Sequence, residues 1–164
     1  MKKKLRLNFL LLILMLFSSY TLLSAHGFNG IIPLKSTCED VKRILKVEKC
    51  EFPYSLYFLK DFTISIYYTK EKPSETDKVC YKVPAGRVSS IRVSYNKQFP
   101  IKDFEYNVKY AEGPFGDIGT IAYENLEKGV SVFTVDGVVG TAFFKPTLKQ
   151  HRKFSYSCNP IPPK

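Results

Sequence analysis

The sequence predicts an α+β protein in which one N-terminal helix packs on a meandering antiparallel sheet of about six strands. One segment repeats its apolar residues at three and four behind a helix-start signal, several others alternate with period two, and an Asp-Gly pair joins two of these. Composition agrees with a folded chain. Of 164 residues, 45% are hydrophobic and 15% aromatic, and they are spread along the chain, which excludes low-complexity disorder.

Ser36-Thr37-Cys38-Glu39 reads as a capping box, in which a hydroxyl and a carboxylate three residues on satisfy free amides at a helix start. Pro33 discourages helix before it. The helix is expected from Thr37 to Val47, with Cys38, Val41, Ile44 and Leu45 as its apolar stripe and Glu39, Asp40, Lys42, Arg43 and Lys46 facing water. No other segment of the mature chain predicts a helix.

Beyond it the period changes to two. Phe62, Ile64, Ile66 and Tyr68 alternate with Thr63, Ser65, Tyr67 and Thr69, which marks a half-buried strand, and Tyr54 to Leu59 is its hairpin partner across Lys60-Asp61. Residues 70 to 78 form a charged, Pro-containing loop. Arg87 to Tyr95 alternates again, with Ile91, Val93 and Tyr95 on one face and Arg92 and Ser94 on the other. Phe99 to Phe104 is a connector with room for one helical turn, Phe104 to Tyr110 a strand, and Gly113-Pro114-Phe115-Gly116-Asp117 a loop. Thr120 to Asn125 and Val130 to Val135 are strands, and the latter meets Val138 to Phe144 across Asp136-Gly137, where a type I′ turn needs positive φ twice. The segments around Gly86–Val93 and Gly137–Phe144 look alike, which suggests two related halves, each a three-stranded meander.

The ends read differently. Lys2, Lys3, Lys4 and Arg6 precede an unbroken apolar run from Phe9 to Phe17 and a small-residue zone ending at Gly27, the pattern of an export signal over residues 1–27. Cleavage is expected after Ala25 or before Phe28. The competing reading is an uncleaved anchor over 9–25, short for a bilayer span, and this segment is the only membrane contact predicted. Residues 28–146 then form a single domain, and 147–164 a basic, Pro-rich tail tied down by Cys158. Removing the four leading cations lowers the formal charge from +10 to +6. Export argues against a nucleic-acid partner. A basic exported domain suits an anionic envelope polymer or lipid headgroups, an envelope protein is the other partner expected, and the expected location is periplasmic or secreted.

Cys38, Cys50, Cys80 and Cys158 all follow the export segment, and an even count in an oxidising compartment points to two disulfides. Zinc would want closely spaced Cys or His pairs, which the chain lacks. Because the predicted helix separates Cys38 from Cys50 unless the chain doubles back, the expected pairing is Cys50 with Cys80 and Cys38 with Cys158.

No catalytic set assembles. The histidines are His26, in the cleavage zone, and His151, in the basic tail, so neither supplies a triad base. Glu39 and Asp40 sit on a solvated helix face, and Asp61, Asp103, Glu105, Glu124 and Glu127 show no pair spacing for acid–base work. There is no Gly-rich phosphate loop, and no cofactor or metal is expected. What remains is an aromatic surplus of 13 Phe and 11 Tyr. Tyr57, Tyr67, Phe133 and Phe143 fall opposite the predicted core faces or on ambiguous ones, and they form the candidate binding face.

Ile32-Pro33-Leu34-Lys35-Ser36-Thr37, with Asp40-Val41 and Ile44-Leu45 after it, resembles small exported bacterial proteins of unassigned function that carry a PLxSTxxDVxxLL-like helix. The likeness extends to Tyr81–Gly86 with Val88 and Ile91, and to Ile121-Ala122-Tyr123 through Asp136-Gly137. Lys46-Val47 stands where that family has Leu-Gly. A helix with this entry followed by a meander is more distantly similar to small barrel-assembly lipoproteins and to β-lactamase inhibitor proteins. Two functions follow as expectations: a non-catalytic binding or structural module of the cell envelope, or an inhibitor or accessory of an exported enzyme.

Intact-mass measurement on the native protein tests the compartment. The expected mass lacks residues 1–25 or 1–27 and does not increase on alkylation without reductant. A membrane-bound chain that retains Met1, or four alkylatable thiols, would refute it.

Overall fold

The computed structural model describes residues 27–72, 77, 79–111 and 119–158. The expected export segment apart from Gly27, the loop 113–117 and the proline-rich end 159–163 lie outside these residues.

The N-terminal helix begins one step after its sequence signal. Thr37, rather than Ser36, caps α1 (Cys38–Leu45): its side chain accepts from the Asp40 N–H, and the Asp40 carboxylate accepts from the Thr37 N–H at 3.0 Å. These bonds, with the Arg43 guanidinium at 2.9 Å, hold the Asp40 carboxyl below its usual range. Ser36 instead accepts from the Ile32 N–H, closing the preceding turn. Lys46 adopts a left-handed conformation, φ 56°, and ends the helix before Val47.

The strands are β1 (Tyr54–Phe58), β2 (Phe62–Tyr68), β3 (Val79–Tyr81), β4 (Val88–Pro100), β5 (Lys109–Tyr110), β6 (Thr120–Asn125), β7 (Val130–Val135), β8 (Val138–Phe144) and β9 (Ser155–Ser157). Seven of them make one antiparallel sheet in the order β1-β2-β4-β8-β7-β6-β5, and β3 pairs with β9 in a separate ribbon. Two meanders, β1-β2-β4 and β6-β7-β8, therefore meet through β4 and β8. The Asp136-Gly137 turn has φ of 52° and 74°, as its hairpin requires. Gly129 is confined for a second reason: besides φ 69°, an added Cβ would run into the Lys145 carbonyl.

Several expectations are corrected. The sheet has seven strands rather than about six, and the helix near residue 40 is not alone. Residues assigned to a tail form α2 (Leu148–Phe154), capped by a reciprocal Thr147–Gln150 box, and then β9. The segment from Phe104 to Tyr110 is a strand only at its last two residues. Phe104 and Tyr106 turn inward instead, after a 3-10 turn at Ile101–Asp103, because their rings fill the space over Phe144 and Phe99. The disulfides are Cys38–Cys50 and Cys80–Cys158. The expected Cys50–Cys80 and Cys38–Cys158 pairing fails because α1 is short and Lys46 reverses the chain, which brings the Cys38 and Cys50 Cα atoms to 6.0 Å. Pairing of β3 with β9 sets Cys80 opposite Tyr156, two residues before Cys158.

Register assigns the two sheet faces. Ile64, Ile66, Ile91, Val93, Val132, Ala142 and Phe144 share one face and are fully buried. Val41 of α1, Phe28 and Ile31 of the preceding segment, and Phe104 cover this face. Phe28 and Tyr106 both pack on the Phe144 ring, at centroid distances of 5.4 and 5.1 Å. Two backbone bonds, Leu34 N–H to Val88 O and Val88 N–H to Ser36 O, fasten the N-terminal segment to β4.

Tyrosines line the core margin. Burial pushes the Tyr95 phenol up to about 12, and burial also raises Tyr68 and Tyr106. The Tyr68 hydroxyl has no hydrogen-bond partner among the described residues. A phenol held neutral in the native state favours folding fully below its unfolded pKa near 10, and that contribution fades as pH rises toward the folded value. Stability is therefore expected to fall steeply between about pH 10 and 12. Absorbance titration of the phenolates should show an early exposed group and a late group that ionises together with unfolding. A single unshifted transition near pH 10 would contradict this burial.

Candidate binding face

The sheet face opposite α1 carries a different set of side chains. Across adjacent strands, register aligns Ser65 of β2, Arg92 of β4, Phe143 of β8, Ser131 of β7, Glu124 of β6 and Lys109 of β5 in one row. Alternation dictates this. Ile91 and Val93 enter the core, so Arg92 between them must point away.

The Arg92 guanidinium lies 5.6 Å from the centre of the Phe143 ring, and the Lys145 ammonium 5.7 Å from the same centre. Phe133 meets Phe143 edge-on at 5.4 Å. Among the described residues neither cation has a carboxylate partner, whereas the nearby Glu124 carboxylate accepts from the Ser131 hydroxyl at 2.9 Å. A cation over an aromatic face gains about 0.5–1 kcal/mol at an exposed site and keeps its charge outward.

One row along the strands, Tyr67 meets Tyr54 with their rings tilted at 40° and centroids 5.0 Å apart, and the Tyr54 and Ser65 hydroxyls lie 3.3 Å apart. Here the β3–β9 ribbon stands beside the sheet. Between them lies a groove of about 400 Å³, with Tyr54, Tyr67 and Ser90 on the sheet side and Val79, Tyr81 and Tyr156 on the ribbon side. Lys70 and Asp77, paired at 3.1 Å, also line it. The Cys80–Cys158 bridge, the Lys82 N–H to Phe154 O bond and an edge contact of Tyr81 with His151 hold the ribbon.

Of the four aromatic residues singled out in the sequence, Tyr67, Phe133 and Phe143 share this face. Tyr57 does not. Its register partner is Ile64, its ring packs on the core, and its hydroxyl donates to the Lys49 carbonyl at 3.0 Å. Sequence reasoning passed over Tyr54, Lys145 and Tyr156. Tyr54 was within reach, since antiparallel pairing across Lys60-Asp61 puts it opposite Tyr67, but nothing local announces the ribbon that brings Tyr156 close. His151 stands on α2 against Tyr81 and meets no nucleophile in the contacts described. Among the described residues, no three His, Cys, Asp or Glu side chains gather to hold a metal ion. Comparison with protein-family models, with curated proteins and with solved structures gives no match.

A two-stranded ribbon of three residues a side is marginal by itself, so the bridge should decide whether the groove exists. Replacing both Cys80 and Cys158 by Ser is expected to cost about 2–5 kcal/mol in urea unfolding, since the bridge spans 78 positions, and to speed amide exchange in β3 and β9 far more than in β4 and β8. Unchanged exchange in the ribbon would show that it holds without its bridge.

Proposed function

We propose that the protein is an exported, non-catalytic binding module of the cell envelope that takes an anionic envelope polymer on the face opposite α1. The single observation that carries this reading is the pair of cations, Arg92 and Lys145, held over Phe143 with no carboxylate partner among the described residues. Two disulfides fit an oxidising compartment, and among the described residues no helix is long and apolar enough to cross a membrane. The net positive charge adds long-range attraction to a polyanion, and the tyrosines beside the cations offer flat surfaces against which a chain of sugars can lie.

The test is binding to soluble alginate and to phosphatidylglycerol vesicles at about 50 and 500 mM salt, with wild type and the Arg92→Ala, Lys145→Ala double variant. Screening at the higher salt shrinks the Debye length to roughly 4–5 Å, so binding should weaken about tenfold or more, and the double variant should lose a comparable factor at low salt. Capture of one envelope protein at both salts, abolished by Tyr67→Ala and Phe133→Ala, would favour the inhibitor or accessory reading instead, because buried aromatic anchors resist salt.

A further inference from the structure

The two edges of the main sheet are built differently. At one end, β5 is only two residues long and begins with Lys109, both devices that blunt an edge against further pairing. At the other, β1 reads Tyr-Ser-Leu-Tyr-Phe: five residues with no charge, no Pro and no bulge. Its free side can be derived from the ladder. The Tyr68 N–H bonds to the Pro53 carbonyl, and the Leu59 N–H to the Phe62 carbonyl. Antiparallel pairing alternates, so Ser55 and Tyr57 also turn their backbone groups toward β2, and Tyr54, Leu56 and Phe58 turn theirs outward. No hydrogen bond among the described residues reaches those outward groups from elsewhere in the chain. The same three residues are 38%, 42% and 78% exposed.

We infer that β1 pairs with β1 of a second copy of this chain, antiparallel about a two-fold axis through Leu56. The edge is self-complementary in that register. Leu56 exchanges both of its backbone bonds with its own counterpart, Tyr54 pairs with Phe58 of the other copy, and about six hydrogen bonds join the chains. Tyr54, Leu56 and Phe58 lie on one side of the sheet, so each apolar side chain meets an apolar side chain across the axis. Charge does not oppose the approach. The strand itself has none, and the flanks carry a Lys49–Glu51 ion pair before it and Lys60 with Asp61 after it. A groove of about 340 Å³ separates Ser55, Leu56 and Tyr57 of this edge from residues 46–51. This inference does not rest on the ligand reading above.

Sedimentation equilibrium tests it, on protein expressed with its own N-terminal segment and purified with both disulfides formed. The short interface predicts a weak dimer, so the mean mass should rise toward twice that of one chain between about 1 and 200 μM. Leu56→Pro removes only an outward N–H and should leave a monomer over that range. Phe58→Lys, at a largely exposed position, should weaken association at least tenfold with an unchanged circular dichroism spectrum. If Leu56→Pro fails to fold, Phe58→Lys decides. A wild-type protein that stays monomeric throughout, or a dimer that neither variant weakens, would overturn the inference.

Discussion

The ladder between β4 and β8 is the contact on which the rest of the structure depends. Strands β1-β2 and β6-β7-β8 are neighbouring segments joined by short turns and β4 follows β2 only after residues 69–87, but within the main sheet only this ladder joins the two meanders, through Ile91 with Phe144 and Val93 with Ala142. Closing so long a loop costs chain entropy before any contact forms, and the return comes from burial: all four side chains are fully enclosed. The covering layer then attaches to the same seam. Leu34 and Ser36 bond to Val88 at the start of β4, and Phe28 and Tyr106 close over Phe144.

That arrangement explains why the two faces differ in chemistry. The layer of α1, the Phe28–Ile31 segment and Phe104 is spent on one side, and among the described residues no element of equal size covers the other along its length. Alternation within β4 and β8 then puts Arg92 and Phe143 outward, directly behind the buried Ile91, Val93, Ala142 and Phe144. Their position is fixed by Ile91, Val93 and Phe144, so the outward cluster inherits the rigidity of the core behind it.

Much of this was legible in the chain. The period-two runs around Ile64, Ile91, Val132 and Ala142 place strands and core face together, and Asp136-Gly137 locates its hairpin to the residue. What escaped was set by non-local contact. Phe104 and Tyr106 look like strand residues, but the vacancy above Phe144 draws them inward. The Thr147–Gln150 box was present in the sequence, yet the basic stretch after it has few apolar residues to suggest a helix, and α2 is fixed by bonds from Leu148 to Leu126 and from Gln150 to Pro33. Within the candidate face, Tyr67, Phe133 and Phe143 followed from alternation alone, and Tyr57 falls on the other face by the same pairing across Lys60-Asp61 that sets Tyr54 opposite Tyr67, since it puts Tyr57 opposite the core residue Ile64.

The disulfides join cysteines in the order in which they occur along the chain, first with second and third with fourth. A polypeptide leaves the ribosome, or enters a new compartment, amino end first. Cys38 and Cys50 can therefore close on each other while Cys80 is still to come, and when Cys80 arrives it finds no free thiol to pair with wrongly. It must then wait for nearly the whole of the remaining chain. Because Cys158 follows β9, the last bridge can seal only after β4 to β8 have been delivered between its two halves, so the final oxidation reports that the entire sheet has arrived.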